Sequence, residues 1–353
     1  MNVKIKEIKC LNCASKNIKK AGIRKGKVQN KQQYLCKNCS NVFTQQPLEQ
    51  LNKTYPITTI LKAITLYNLG HSQSKIQALI KTAPKPSQKT ISNWTNEFKT
   101  IATFSRLRNE AKCQYSPDSI IEQYEFLHNN LNYKYQIHNF KLNYLAGNNE
   151  KLQRLKNYLD KIPTKQFPHH IFKPNPEVEE KSDRASQSSF KVLNIQPLSK
   201  HNLANKLAKL ALNLAKTNKE RHQSIQDFFM TNDSTTIAAE VPIYLTHDDL
   251  LYFSSRNFNL DPKDFKTPIT GHIDILQIRN GLIHILDYKP EAEKEKPIHQ
   301  LTIYALALAS KTKLPLTLFK CAWFDENDYY EFFPLHVVKE KDLNNTNVLH
   351  YST

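Results

Sequence analysis

Two adjacent residues, Asn280-Gly281, constrain this chain more than any other pair. A type I′ turn needs positive φ at both central positions, and Asn-Gly tolerates that best. With those two as the turn, Arg279 faces Leu282, Ile278 faces Ile283, and Asp274 faces Asp287. Side chains alternate along a strand, so Asp287 and Lys289 share a face with Ile283 and Ile285. Like charges directly opposite destabilise a sheet unless something positive lies between them. The stretch GHIDILQIRNGLIHILDYKP therefore predicts a buried antiparallel hairpin with two opposed carboxylates and a lysine, and a divalent cation is their economical partner.

The chain has 353 residues, enough for two or three domains with at least one sizeable core. No apolar run approaches the roughly 20 residues of a membrane span, and MNVKIKEIKC lacks the apolar stretch of a signal peptide, so a soluble, cytoplasmic protein is expected. Residues 1–100 hold 18 Lys and Arg against 3 Asp and Glu, so +15 of the net +18 sits there. A basic front on a nearly balanced remainder implies a polyanion-binding module joined to something else. The abundance of Asn, Lys and Ile offers a plainer alternative, a solvated lysine-rich surface.

Cys10-Leu-Asn-Cys13 and Cys36-Lys-Asn-Cys39 form two CxxC pairs with 22 residues between them, while Cys113 and Cys321 stand alone. Four thiolates at this spacing suit one tetrahedral structural Zn²⁺. Disulfides would need an oxidising compartment that nothing in the sequence supports. The stretch from Cys10 to Phe43, with its CxxC…(K/R)xG start and its Gln32, Tyr34, Cys36, Cys39 and Phe43 finish, resembles the zinc ribbon at the front of many insertion-sequence transposases. That resemblance implies DNA binding beside a helix-turn-helix.

Three helices follow in the expected place. Ile57, Ile60, Leu61, Ile64 and Leu66 recur at helical spacing up to Gly70, HSQSKIQALIK makes a second helix, and Ser87 caps a third. In the third, Ile91, Trp94, Phe98 and Ile101 turn inward, leaving Gln88, Lys89, Ser92, Asn93 and Asn96 outside, long and polar enough to meet base edges or phosphates. An ordinary three-helix bundle would show the same pattern; the charge and the ribbon favour DNA.

Residues 117–160 read as helices that serve as a dimer surface, a spacer or part of the catalytic domain, and residues 163–189 read as a Pro- and Ser-rich linker. His169-His170 in that linker have no ligand partner in register and are not counted as metal ligands. Residues 201–230 read as a strong amphipathic helical stretch, with Leu203, Leu207, Leu210, Ala211 and Leu214 on one stripe and His222 toward its end. TIAAEVPIYLT is a strand carrying Glu240, and PIHQLTIYALALASKTKL is a helix with Gln300 and Tyr304 four apart on one face.

Taken in order, Glu240-Val-Pro, Gly271-x-x-Asp274, Asp287-Tyr-Lys289 and Gln300-x-x-x-Tyr304 resemble the motifs of RecB-like PD-(D/E)XK nucleases, a group that includes CRISPR-adaptation nucleases, over about residues 200–335. The resemblance implies a mixed sheet flanked by helices and Mg²⁺- or Mn²⁺-dependent cleavage of DNA, with His222 matching a metal-ligating histidine of some members. The four-cysteine iron–sulfur cluster of several members is absent, and the gap between Glu240 and Asp274 holds an insertion, HDDLLYFSSRNFNLDPKDF.

Independently of the family, Asp274 and Asp287 can hold a hard cation through oxygen, together with the backbone carbonyl of Tyr288. Lys289 on the same face can orient water and stabilise developing charge, and Gln300 and Tyr304 can hydrogen-bond a phosphodiester backbone. The alternative is an exposed Asp287–Lys289 ion pair, which the flanking IHIL makes a poor fit. The expectation is an α+β protein: a zinc ribbon over 1–48, a helix-turn-helix domain over 52–110, a helical spacer and linker over 111–198, and a PD-(D/E)XK nuclease domain over 199–340. It would be a metal-dependent DNA endonuclease, associated with a mobile element or homing. A RecB-like exonuclease that processes DNA ends and a non-catalytic DNA-binding regulator remain open, as does a homodimer.

Overall fold

The Asn280-Gly281 turn sets the register of the central hairpin. Both residues take positive φ, 52° and 73°, and pairing runs from Arg279↔Leu282 to Ile275↔Leu286. The computed structural model describes residues 8–10, 12–13, 15–25, 30–44, 54–128, 131–147, 149–162, 183–265 and 268–339. Linker residues 163–182, His169 and His170 among them, lie outside the described residues. The chain divides into two compact units, residues 1–67 with 71–98, and residues 68–70 with 99–353.

The first unit opens with an antiparallel sheet, β1 (Ile18–Arg24), β2 (Lys31–Cys36) and β3 (Val42–Thr44) in that order. Helices α1 (Ile57–Asn68), α2 (Gln73–Leu79) and α3 (Gln88–Glu97) follow. Ser72 and Ser87 accept hydrogen bonds from the N–H groups of Lys75 and Thr90, at 3.3 and 3.1 Å, and so satisfy donors that each helix start leaves without a partner. Ile57, Ile60, Leu61, Ile64, Ile76, Ile91, Trp94 and Phe98 are buried, as their helical spacing requires.

In the second unit the described residues form one mixed sheet of nine strands. Across it lie β4 (Ile121–His128), β5 (Leu131–His138), β8 (Thr236–Leu245), β9 (Ile269–Arg279), β10 (Leu282–Tyr288), β11 (Phe319–Phe324), β12 (Tyr329–Phe332) and β7 (Leu198–Ser199), with β6 (Asp183–Arg184) against the start of β9. Neighbours are antiparallel except β10–β11 and β6–β9. The helices are α4 (Arg108–Gln114), α5 (Asn139–Ala146), α6 (Glu150–Lys161), α7 (Leu203–Ala211), α8 (Arg221–Asn232), α9 (His247–Ser254), α10 (Ile298–Thr312) and α11 (Leu335–Val338). A parallel pair demands a crossover, and α10 supplies it between β10 and β11.

Helix α10 is buried from Leu301 to Ser310, wedged between the sheet and Leu152, Leu155 and Leu159 of α6. A helix apolar on all sides has to be sandwiched in this way. Truncating Ile285 or Leu306, both fully buried, to alanine is expected to cost ~2–5 kcal/mol. Elsewhere in the unit Phe229 of α8 meets Phe324 of β11, ring centroids 5.5 Å apart, and Phe324 meets Tyr288 at 6.0 Å. Among the described residues no helix is long and apolar enough to cross a membrane.

The structure corrects two sequence expectations. Residues 121–138, read as helical, form the β4–β5 hairpin: Tyr124, Tyr133, Tyr135 and Ile137 are strand-favouring residues, and Tyr135 and Ile137 are buried against the sheet. The amphipathic stretch 201–230 is two helices, α7 and α8, interrupted over residues 212–220. Asn213 and the Thr217-Asn218 pair are weak helix formers, and Asn213 turns its amide onto the carbonyls of Lys209 and Leu210. His222 therefore lies in the first turn of α8.

Candidate functional site

Three adjacent strands each carry one acidic residue at the same level of the sheet. Pairing of β8 with β9 includes Ala239↔Ile275 and resumes at Val241↔Ile273, which sets Glu240 opposite Asp274. Pairing of β9 with β10 ends at Ile275↔Leu286, which sets Asp287 opposite Asp274 on the other side. The ladder breaks at this level. Glu240 adopts φ +52°, a left-handed conformation that costs a side-chain-bearing residue on the order of 1 kcal/mol or more, and the Tyr288 N–H donates to Asp274 Oδ2 at 3.1 Å.

Burial raises all three carboxyls. Asp274 rises from 3.8 to about 7 through burial and then the charge of Glu240, and Asp287 rises to about 7 through burial and then Asp274. Glu240 rises through burial and the charge of Asp287, against a 2.7 Å hydrogen bond from Gln226 Nε2. Lys289 Nζ stands 2.8 Å from Asp287 Oδ2 as an ion pair. Burial works to lower the Lys289 ammonium, and the Asp287 and Asp274 charges outweigh it and keep it protonated.

His222 comes in from α8, with Nε2 2.9 Å from the Tyr288 carbonyl and 3.9 Å from Asp274 Oδ2. Burial lowers its pKa, so at neutral pH the imidazole is uncharged and can serve as a ligand. From α10, Gln300 Nε2 donates to the Tyr304 hydroxyl at 2.8 Å. Burial and then Asp287 hold that phenol far above its ordinary range, so it stays a donor. Gly271 makes room for it: a Cβ there would lie 2.6 Å from Tyr304 Cε1.

Asp274, Asp287, Lys289, Glu240, Tyr288, His222, Gln300 and Tyr304 are thus brought into one neighbourhood. Sequence reasoning missed Gln226, although its place four residues after His222 put both on one face of α8. It also missed Arg221, whose guanidinium lies 5.7 Å over the Tyr288 ring. A cavity of about 520 Å³ lined by Leu193, Ile195, Lys320, Phe333 and His336 lies at the β12–β7 edge and contains none of the carboxylates.

In the first unit, Cys10, Cys13, Cys36 and Cys39 bring their sulfurs within 4.8 Å of one another, with Cys10–Cys39 at 3.5 Å and Cys13–Cys36 at 3.6 Å. Burial raises the Cys10 thiol, and the N–H groups of Cys13 and Asn12 outweigh it, bringing it down to about 6. Against a backbone hydrogen bond at Ser15, the neighbouring Cys39 and Cys36 push Cys13 up to about 12. Four thiolates so close repel one another, and a tetrahedral Zn²⁺ suits them. On α3, Gln88, Lys89, Asn93 and Asn96 are exposed and Ser92 is half-buried.

The acidic set also fits a metal, of another kind. Its donors are hard carboxylate oxygens, a backbone carbonyl and one imidazole, which suits Mg²⁺ or Mn²⁺ rather than zinc. Among the described residues only the cysteines gather three or more side-chain ligand atoms within 4.8 Å, so this set is the more open of the two.

A mixed sheet with carboxylates and a lysine on adjacent strands, backed by a helix that carries the Gln/Tyr pair, defines a class of metal-dependent phosphodiester-cleaving folds. The family description PD-(D/E)XK nuclease superfamily matches residues 150–330, about half the chain, and the chain belongs to that superfamily. No curated protein and no solved structure matches it.

Proposed function

We propose that the protein is a Mg²⁺- or Mn²⁺-dependent DNA endonuclease whose N-terminal unit, a zinc ribbon followed by a helix-turn-helix, addresses it to its target. The observation that carries the nuclease reading is the line Glu240–Asp274–Asp287 with Lys289 against it: three carboxylates facing one another across buried strands are unstable without a cation. Asp274, Asp287, Glu240, the Tyr288 carbonyl and His222 would hold the ion. When bound, it supplies charge neutralisation at the phosphate and a water of lowered pKa.

The remaining steps fall to the chain's own groups. Lys289, protonated and two residues from Asp287, holds the attacking water in line and stabilises charge on the phosphoryl oxygens. The Tyr304 hydroxyl and Gln300 amide donate to the phosphodiester backbone and fix the strand. Asp274 and Asp287, ionised with the cation present, keep Lys289 charged. In the N-terminal unit, Gln88, Lys89, Ser92, Asn93 and Asn96 read bases or phosphates, and the +15 charge of residues 1–100 supplies non-specific affinity. A sequence-addressed nuclease of this composition fits a mobile element or a homing function. We include the β4–β5 hairpin in the nuclease unit, since it extends the same sheet.

The test is cleavage of matched circular and linear DNA with Mg²⁺ or Mn²⁺. Nicked or linearised circles support an endonuclease, and trimming of linear DNA alone makes the protein an exonuclease. Absence of cutting by protein that binds Mn²⁺ would sink the nuclease reading.

A further inference from the structure

The insertion between β8 and β9 builds a second feature away from the carboxylates. Helix α9 and the residues after it, with the C-terminal end of α10, enclose a cavity of about 400 Å³, within the size range of pockets that take small-molecule-sized groups. Tyr252 and Phe258 line it with Arg256, Lys313 and Lys339. The Arg256 guanidinium lies 4.4 Å from the Tyr252 ring centroid, Lys313 Nζ lies 6.0 Å from it, and Lys339 Nζ lies 5.8 Å from the Phe258 ring.

Two properties distinguish this surface from an ordinary solvated face. Tyr252 is 45% exposed and its neighbour Leu251 49%, so apolar area faces water beside the cations. Among the described residues none of the three cations forms an ion pair with a carboxylate. Asp249, also on α9, is taken up by Lys311 at 2.7 Å and by the Ser310 hydroxyl. Three positive charges with no carboxylate partner among the described residues, set around a partly exposed ring, suit an anion that also presents a flat face, which is the chemistry of a nucleotide. An Arg–Tyr stack is moreover a platform that accepts any base.

We infer that this cavity is a single-strand subsite that holds the nucleic-acid strand beyond the point of cleavage, stacking a base on Tyr252 and taking phosphates on Arg256, Lys313 and Lys339. The inference rests on the nuclease reading above. Lys313 lies nine residues beyond Tyr304 on α10, about 13 Å along the helix and about half a turn round it, so a strand leaving the cut would reach the cavity after a few nucleotides by a path outside this buried helix.

The experiment uses the full chain. A twelve-residue thymidine oligomer carrying 4-thiothymidine, irradiated with the protein without metal, should label a peptide containing Tyr252. The Arg256→Ala/Lys313→Ala variant should lose most of that label while melting within a degree or two of the wild type. In cleavage assays the same variant should raise KM about tenfold with kcat little changed, on substrates whose strand extends six or more nucleotides past the cut. On substrates ending within two nucleotides of the cut it should match the wild type. Equal labelling of wild type and variant, or an equal KM effect on short and long substrates, would overturn the subsite. So would competition by free thymidine monophosphate as strong as by the oligomer, which would assign the cavity to a small nucleotide. Protein that labels here but cuts nothing loses the nuclease reading alone, and protein that cuts without labelling here loses only the subsite.

Discussion

The two candidate metal centres of this chain solve the same electrostatic problem in opposite ways. The cysteine set in the first unit is closed: four sulfurs within 4.8 Å, placed by two tight CxxC turns at one end of a small sheet. The acidic set in the second unit is open, spread over β8, β9, β10 and α8, with Lys289 among its carboxylates. A closed set leaves no position for a substrate and serves the fold; an open set leaves room for water and phosphate and weakens the fold until it is filled. The sheet around the carboxylates has its own large core, enough to keep it folded although the unfilled carboxylates weaken it, whereas around the four cysteines the described buried apolar residues are few, chiefly Phe43 with the cysteines themselves.

The largest expected effect follows from that contrast. Cys36→Ser should abolish binding of about one zinc per chain and unfold the ribbon, since structural zinc contributes on the order of 10 kcal/mol to small domains. Elemental analysis and limited proteolysis would check it, and a protein without zinc prepared free of chelator would remove the ribbon. Removing Mg²⁺ or Mn²⁺ should instead leave the second unit folded.

Next in size, Asp287→Asn should reduce cleavage on the order of a thousandfold while raising the melting temperature of the metal-free protein. Lys289→Ala should be as inactive, with Mn²⁺ binding retained. A drop in melting temperature for Asp287→Asn with activity kept would make the carboxylates structural and erase the distinction between the two centres.

A smaller effect concerns pH. Because the folded pKa values of Asp274 and Asp287 are raised from 3.8 to about 7, their contribution to stability is full below pH about 4 and is lost as pH rises through about 7. Metal-free protein should lose a few kcal/mol over that window at most, and Mn²⁺ should restore it above pH 7. Denaturant titrations from pH 4 to 8 measure this, and a stability that rises over the window contradicts it. The smallest change is expected at α3: Asn93→Ala or Asn96→Ala should alter site preference by ~1–3 kcal/mol with the salt dependence of binding unchanged.

Much of this was legible from local chemistry. Asn280-Gly281 carries its own backbone preference, so the hairpin register and the facing of Asp274 and Asp287 followed from two residues. Ser87 and the CxxC spacing are equally local. The rest depends on distant partners. Glu240 takes φ +52° although nothing in Ala-Ala-Glu-Val-Pro demands it. The β4–β5 hairpin is fixed by pairing Gln136 and Ile137 with Ala239 and Ala238, about a hundred residues away. Helical periodicity could not reveal the break over 212–220, since Leu212 and Leu214 continue the apolar pattern through it.

The bare backbone at Gly271 beneath Tyr304 gives this site a direction of change. A side chain at position 271 would meet the ring at 2.6 Å and push the hydroxyl away from its place beside Gln300. A smaller residue at 304 could arise first and leave the sheet undisturbed, after which position 271 would be free to enlarge. The reverse order passes through a displaced ring, so Gly271→Ala should be far more harmful with Tyr304 present than with Tyr304→Ala. Descendants of this chain can leave the pairing by one door only, and a double-mutant cycle on the two positions would show which way it opens.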